Sequence, residues 1–258
     1  MTAPLSEITI TSVYKNRDGQ RVPLPKRMAQ CTPDMEAAIR AVSAELEQRS
    51  GRLFLSDLFR SFDMQLQSHM DFVNGKKKAF SPPPGGSLHE AGRALDLDLD
   101  NLGIKLSDFW DLARPHGLLP IIDKPTAGVS ESWHFDCRGS HQIIYDYYKE
   151  GKGTNFKPYA AMAASAILSI GVKVEKFGSN QTAAAIQSAL IRLDQTIGDI
   201  DGSIGKKSRA GLEAVGVPFG DLQTMLTMLE GLLRQKFPQE YASDESIAFA
   251  EAPPHVTQ

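Results

Sequence analysis

Cysteine is nearly missing from this chain: Cys31 and Cys137 are the two thiols in 258 residues. Two thiols cannot build a disulfide framework, and they exclude a structural zinc site made of cysteines. Basic charge is not in excess either. The formal net charge is −3, and the Lys76-Lys77-Lys78 run is short, so nothing draws the chain to nucleic acid in general. No apolar run reaches membrane-spanning length; the most apolar stretch, 159–172, is alanine-rich and reads as a buried helix rather than an inserted one. The N-terminal MTAPLSEITITSVYKNRDGQ lacks the basic start and apolar run of a secretory leader. The expectation is therefore a chain made in the cytoplasm, for which a target beyond the membrane demands a non-classical delivery route. What is present, 41% hydrophobic and 23% charged residues, describes a globular protein long enough for one large domain or two smaller ones.

Short strands interleaved with helices occupy the first 150 residues. Alternation predicts strands over 6–14, 52–59, 95–100, 118–122 and 132–137. Helical spacing predicts helices over 34–47, with Thr32 as cap and Gly51 as stop, over 63–73, and over 107–114 with Ser107 as N-cap. That pattern is α+β. Residues 151–158 read as a linker, 159–238 as nearly all helical, and the polar, proline-containing 239–258 as a disordered tail.

The stretch SLHEAGRALDLDLD, residues 87–100, places Asp96, Asp98 and Asp100 on one face of an alternating segment just after His89. A solvated edge strand accounts for such charge, and so does a bound cation. His89 and Asp96 offer two ligands; seven apart on one strand they would face opposite ways, and Gly92 allows the break that lets them converge. The best third ligand is His134 in ESWHFD. Three protein ligands with a fourth position left open is the arrangement of a catalytic zinc site. Glu131, three residues before His134, brings a carboxylate near the same ion without ligating it, as a general base acting on water requires. The remaining candidates read as structural. Asp98 and Asp100 are solvent-facing strand residues, His69 and His141 lie on helix surfaces, His116 sits in a turn, His255 in the tail, and Cys137 is a small buried hydrophobe.

The motif S-x-H-x-x-G-x-A-x-D is complete in Ser87, His89, Gly92, Ala94 and Asp96, and E-x-W-H in Glu131, Trp133 and His134. On these motifs the chain resembles the zinc D-Ala-D-Ala carboxypeptidases and endopeptidases of the VanY type, whose fold is shared with lysostaphin-type peptidases and the hedgehog signalling domain. The resemblance spans roughly residues 30–150. It implies a hedgehog-type catalytic domain with a small antiparallel sheet, and Zn²⁺ held by His89, Asp96 and His134. It implies that Glu131 takes a proton from the attacking water and passes it to the leaving amine. Arg60, in FRSFDMQ, matches the family's arginine; it would be catalytic, contacting a substrate carbonyl or carboxylate and stabilising the developing oxyanion. Ser87 and Gln65 would contact substrate in the same cleft, and Trp133 would pack beneath the site and shape it.

Residues 182–214 resemble the peptidoglycan-binding three-helix repeat, through Ile186-Gln187, Leu190, Asp201, Gly202, Ile204, Gly205, Ser208 and Ala210, with Ser208 as a helix cap and 222–237 as the third helix. The sequence departs from that repeat at Val215-Gly216, where an aromatic residue and Gln are usual. A helical bundle that merely packs on the catalytic domain is the other reading. The expectation is thus a zinc peptidase domain (1–150), the linker, an all-α peptidoglycan-binding-like domain (159–238) and the tail. Such a chain would act on peptidoglycan as a carboxypeptidase or endopeptidase. A wall substrate without a leader in this sequence fits a phage lysin, an injected antibacterial effector with an immunity protein as partner, or a chain whose leader has been trimmed away. The alternative is a non-catalytic, zinc-stabilised wall-binding module; Glu131 argues against it, since a closed structural site needs no general base.

Overall fold

The computed structural model describes residues 3–242, an α+β fold. Helix α1 (Pro33–Gln48) begins with proline, carries Asp34 and Glu36 against the positive end of its dipole, and buries Met35, Ile39, Val42 and Leu46 along one stripe. It forms the crossover between strands β2 (Thr11–Lys15) and β5 (Leu55–Asp57), which consequently pair in parallel. The main sheet has six strands in the order β3-β2-β5-β6-β8-β7, adding β3 (Arg21–Pro23), β6 (Ala94–Leu97), β7 (Leu118–Pro120) and β8 (His134–Cys137). Every other pairing in it is antiparallel. The expected small antiparallel sheet is therefore a mixed one, because of that crossover. Strands β1 (Ser6–Glu7) and β4 (Gln30–Cys31) make a separate antiparallel pair.

Local chemistry moves several expected boundaries. The alternating segment stops being a strand at Leu97, because the Asp98 carboxylate accepts from the Asp100 amide and turns the chain into a short 3-10 helix, Leu99–Asn101. Helix α3 (Leu106–Ala113) starts after Lys105, so Ser107 lies inside it rather than at its cap. Helix α2 (Phe62–Val73) is capped by Ser61, whose hydroxyl accepts from the Met64 amide.

Helix α4 (Gln142–Lys149) leads into α5 (Pro158–Ser169), α6 (Gln181–Arg192), α7 (Lys206–Ala214) and α8 (Leu222–Lys236). Gly205, not Ser208, holds the N-cap position of α7. The core of these helices takes in Tyr147 and Tyr148 from α4 and also Leu88, Ala91 and Ala94 from the segment before and into β6. Helix α5 thus lies against the 3-10 turn Leu88–Ala91. Within 151–158, the Thr154 amide donates to Asp199 and the Asn155 side chain to the Ile200 carbonyl. Packing also runs past residue 238, into a region read from sequence as tail. Glu240 and Tyr241 are buried there, and residues 243–258 lie outside the described part of the chain. Among the described residues, no helix is long and apolar enough to cross a membrane.

Candidate metal centre and cleft

The register of three adjacent strands builds the centre. Asp57 on β5 pairs with Asp96 on β6, and Asp96 pairs with His134 on β8, so the three lie in a row across the sheet. Asp136, two residues beyond His134, shares its face. His89 arrives from the 3-10 turn before β6. Its turn is fixed by a capping box: the Ser87 hydroxyl accepts from the His89 amide, and the Glu90 carboxylate accepts from the Ser87 amide. Gly92 then reverses the chain at φ +63°. A Cβ there would stand 2.8 Å from the Cα of Cys31.

One ligand atom from each of His89, Asp96 and His134 lies within 4.8 Å of the others. The imidazoles meet edge to face with centroids 5.0 Å apart. Each ring has its far nitrogen engaged: His89 Nδ1 donates to the Leu58 carbonyl at 2.8 Å, and His134 Nε2 donates to Asp136 Oδ1 at 2.9 Å. Those bonds fix the hydrogens on the far side and aim a lone pair at the centre from each ring. His89 Nε2 is buried with no hydrogen-bond partner, 3.4 Å from Asp96 Oδ1. His134 Nδ1 stands 2.9 Å from the same oxygen. Lone pairs pointed at a buried carboxylate demand a cation between them. A divalent metal with nitrogen and oxygen preferences, such as zinc, fits this donor set.

The titration behaviour agrees. Burial alone would lower the His134 pKa, but its bonds to Asp136 and Asp96 raise it to about 10, so without metal a proton fills the gap. Burial likewise opposes ionisation of Asp96, yet His89 and His134 hold its carboxyl well below the usual range. Glu90, buried under the proline-rich loop, is pushed up to about 7 by desolvation against the pull of its bonds from Gly85 and Ser87.

The three donors open into a cavity of about 620 Å³. Arg60, Ser87, Glu131 and Trp133 line it with them, as do Phe80 and the prolines Pro82 and Pro83. Glu131 occupies a left-handed backbone, φ +68°, and its carbonyl accepts from the His134 amide, which ties the carboxylate-bearing turn to β8. Arg60 donates from Nε to Asp57 at 2.5 Å, from Nη1 to Gln65 at 3.2 Å and from Nη2 to Asp96 Oδ2 at 3.3 Å. Gln65 does not line the cavity. It is fully buried behind Arg60, with its amide given to Ser81 and the Pro82 carbonyl. Asp98 pairs with Arg21 away from the ligands, and His116 pairs with Glu45. His141, expected on a helix surface, is instead fully buried, its Nδ1 within 2.8 Å of the Ser165 hydroxyl. Cys137 is buried, as expected of a small hydrophobe.

Several residues of the site were not singled out from sequence. Asp57 and Asp136 flank the ligands, while Lys157, Tyr159 and Ala160 close the cavity from the side of α5. Only Asp136 carried a local signal, its two-residue spacing from His134 on a strand.

No family model matches the sequence, and no curated protein matches it. Among solved structures, the chain is similar to an L,D-carboxypeptidase DacB from Streptococcus pneumonia, at 18% identity and a TM-score of 0.33, over 51% of this chain and 85% of that one. It is also similar to the LdcB LD-carboxypeptidase, whose structure is described for its peptidoglycan recognition, at 17% identity and a TM-score of 0.35, over 57% of this chain and 92% of that one.

Proposed function

We propose that the cleft is the active site of a zinc-dependent peptidase that hydrolyses bonds in peptidoglycan stem peptides or their crosslinks. One observation carries the reading: two imidazoles and a carboxylate converge within 4.8 Å, with an unsatisfied buried nitrogen, in a cavity that also presents Glu131. His89, Asp96 and His134 would hold the ion. Bound there, zinc supplies Lewis acidity toward the scissile carbonyl and toward water. Glu131 accepts the proton of the attacking water on its carboxylate and delivers it to the departing amine. Arg60 keeps one hydrogen on each Nη without a partner among the described residues, and these donate to the carbonyl or carboxylate oxygen of the substrate. Arg60, Lys77 and Lys157 around the cavity favour a peptide rich in free carboxylates, as stem peptides are. Trp133 and Phe80 shape its walls, and Gln65 holds Arg60 in place.

Mass spectrometry of muropeptides, digested with and without chelator, tests the reading and reports which bond is cut. The expected result is loss of a terminal residue, or splitting of crosslinked dimers, abolished by chelation and restored by zinc. Digestion that survives chelation overturns the metal chemistry; muropeptides left intact by the zinc-loaded protein overturn the substrate.

A further inference from the structure

We infer that Tyr159, at the start of α5, is a positioning residue of the metal centre that acts on His134 through Asp136. The inference rests on the metal site proposed above and deepens it. Asp136 is fully buried and stands where three donors meet. Its Oδ1 accepts from His134 Nε2 at 2.9 Å and from the Tyr159 hydroxyl at 3.1 Å; its Oδ2 accepts from Arg138 Nε at 3.3 Å. A carboxylate behind a metal-ligating imidazole sets the tautomer, the ring orientation and the electron density that the other nitrogen offers. Tyr159 shares the very oxygen that His134 uses. It therefore fixes the rotation of the carboxylate and, through it, the plane of the His134 ring.

The placement of this phenol is determined by the helix that carries it. Helix α5 opens at Pro158, whose fixed φ starts the helix and leaves position 159 in the first turn. The helix packs on the turn that carries His89 and lends Tyr159 to the wall of the cavity. One element from the C-terminal half thus braces both imidazole-bearing segments, His89 by apolar packing and His134 by a hydrogen-bond relay. Helix α5, which precedes the stretch resembling a wall-binding repeat, is on this view part of the support of the metal centre.

The test is zinc affinity of the full chain, measured by competition with a chromophoric chelator, together with the visible spectrum of the cobalt-substituted protein. Loss of a direct partner of a ligating imidazole costs about 10- to 100-fold, so Tyr159→Phe, one hydrogen bond further out, should weaken zinc binding by up to about 10-fold and shift the cobalt bands. Tyr148→Phe loses hydroxyl bonds to Asn155 and the Ile200 amide, remote from the ligands, and should do neither. In an Asp136→Ala background, where no acceptor is left for the phenol, Tyr159→Phe should add nothing. If Tyr159→Phe fails to fold, 3-fluorotyrosine in place of Tyr159 keeps the ring and strengthens the donor, and it too should move the cobalt bands. Zinc affinity and spectrum unchanged by these replacements overturn the inference and leave the peptidase reading standing. A wild-type chain that binds no zinc overturns both.

Discussion

Glu131 is where the sequence spends conformational strain near the proposed chemistry. A non-glycine residue at φ +68° sits in a region that costs an L-amino acid about 1–2 kcal/mol, and it does so on the wall of the cavity that holds the candidate metal donors His89, Asp96 and His134. Glu131→Gln keeps the side-chain length and the same backbone demand, so it removes only the basic oxygen. Turnover is expected to fall roughly 10²- to 10⁴-fold, the range for loss of a general base, while zinc affinity stays at the wild-type value. Steady-state kinetics on a defined stem peptide, paired with chelator competition, reads both quantities. A variant that loses zinc in parallel with activity would make Glu131 a ligand or a support for one; a variant that keeps its rate would remove it from catalysis.

At the scale of elements, the passage from the His89 turn into β6 depends on one glycine. Gly92 combines a left-handed backbone with contact to β4, since an added Cβ would meet Cys31 Cα at 2.8 Å and Leu5 Cδ2 at 2.9 Å. Gly117 shares the backbone sign, at φ +82°, but nothing lies within 4 Å of its absent Cβ. Gly117→Ala should therefore cost only the left-handed penalty, about 1 kcal/mol, in chemical denaturation. Gly92→Ala should cost more, because backbone must move as well, and it should weaken zinc binding by displacing His89. Equal losses for the two variants would mean that β4 yields freely and that the close approach is unimportant. The break at Gly92 was legible because His89 and Asp96, seven apart, otherwise face opposite ways; so was the stripe of α1, from Met35 to Leu46. The strand end at Leu97 was hidden by an alternation that continues to Asp100, where a side-chain cap overrides the pattern. Asp57 and Tyr159 were illegible for a different reason. Their roles follow from strand register and from the docking of α5, both long-range matters on which local spacing is silent.

At the scale of the whole molecule, the two halves meet over buried charge. Arg93, just before β6, pairs with Asp34 at the start of α1 at 2.9 Å; Arg192 at the end of α6 pairs with Glu240 at 2.6 Å, and Glu240 also accepts from Ser140. His141 lies among these groups, against Ser165 of α5 and beside Ser169, fully buried. Burial first, and then the positive charges of Arg192 and Arg93, hold its pKa well below that of a free histidine. A base depressed in the folded state contributes stability above its unfolded pKa, about 6.5, and that stability is lost as the pH falls toward the folded value. Two other groups titrate with opposite sign. His134, raised to about 10 in the metal-free chain, gains its stabilising effect as pH falls from about 10 to 6.5 and is constant below that. Glu90, raised to about 7, favours the folded state increasingly between pH 7 and its ordinary value of 4.5. The wild-type slope in acid is thus a sum, and the informative quantity is a difference. Urea midpoints of the metal-free protein, followed from pH 6.5 to 5, should fall less steeply in His141→Gln than in wild type, because the variant has no imidazole to charge on unfolding. Proton NMR of the folded chain should show His141 titrating below a free imidazole. Parallel slopes, or an imidazole at 141 that titrates normally, would mean that solvent reaches this junction and that the two halves are held together without a dry, charged seam.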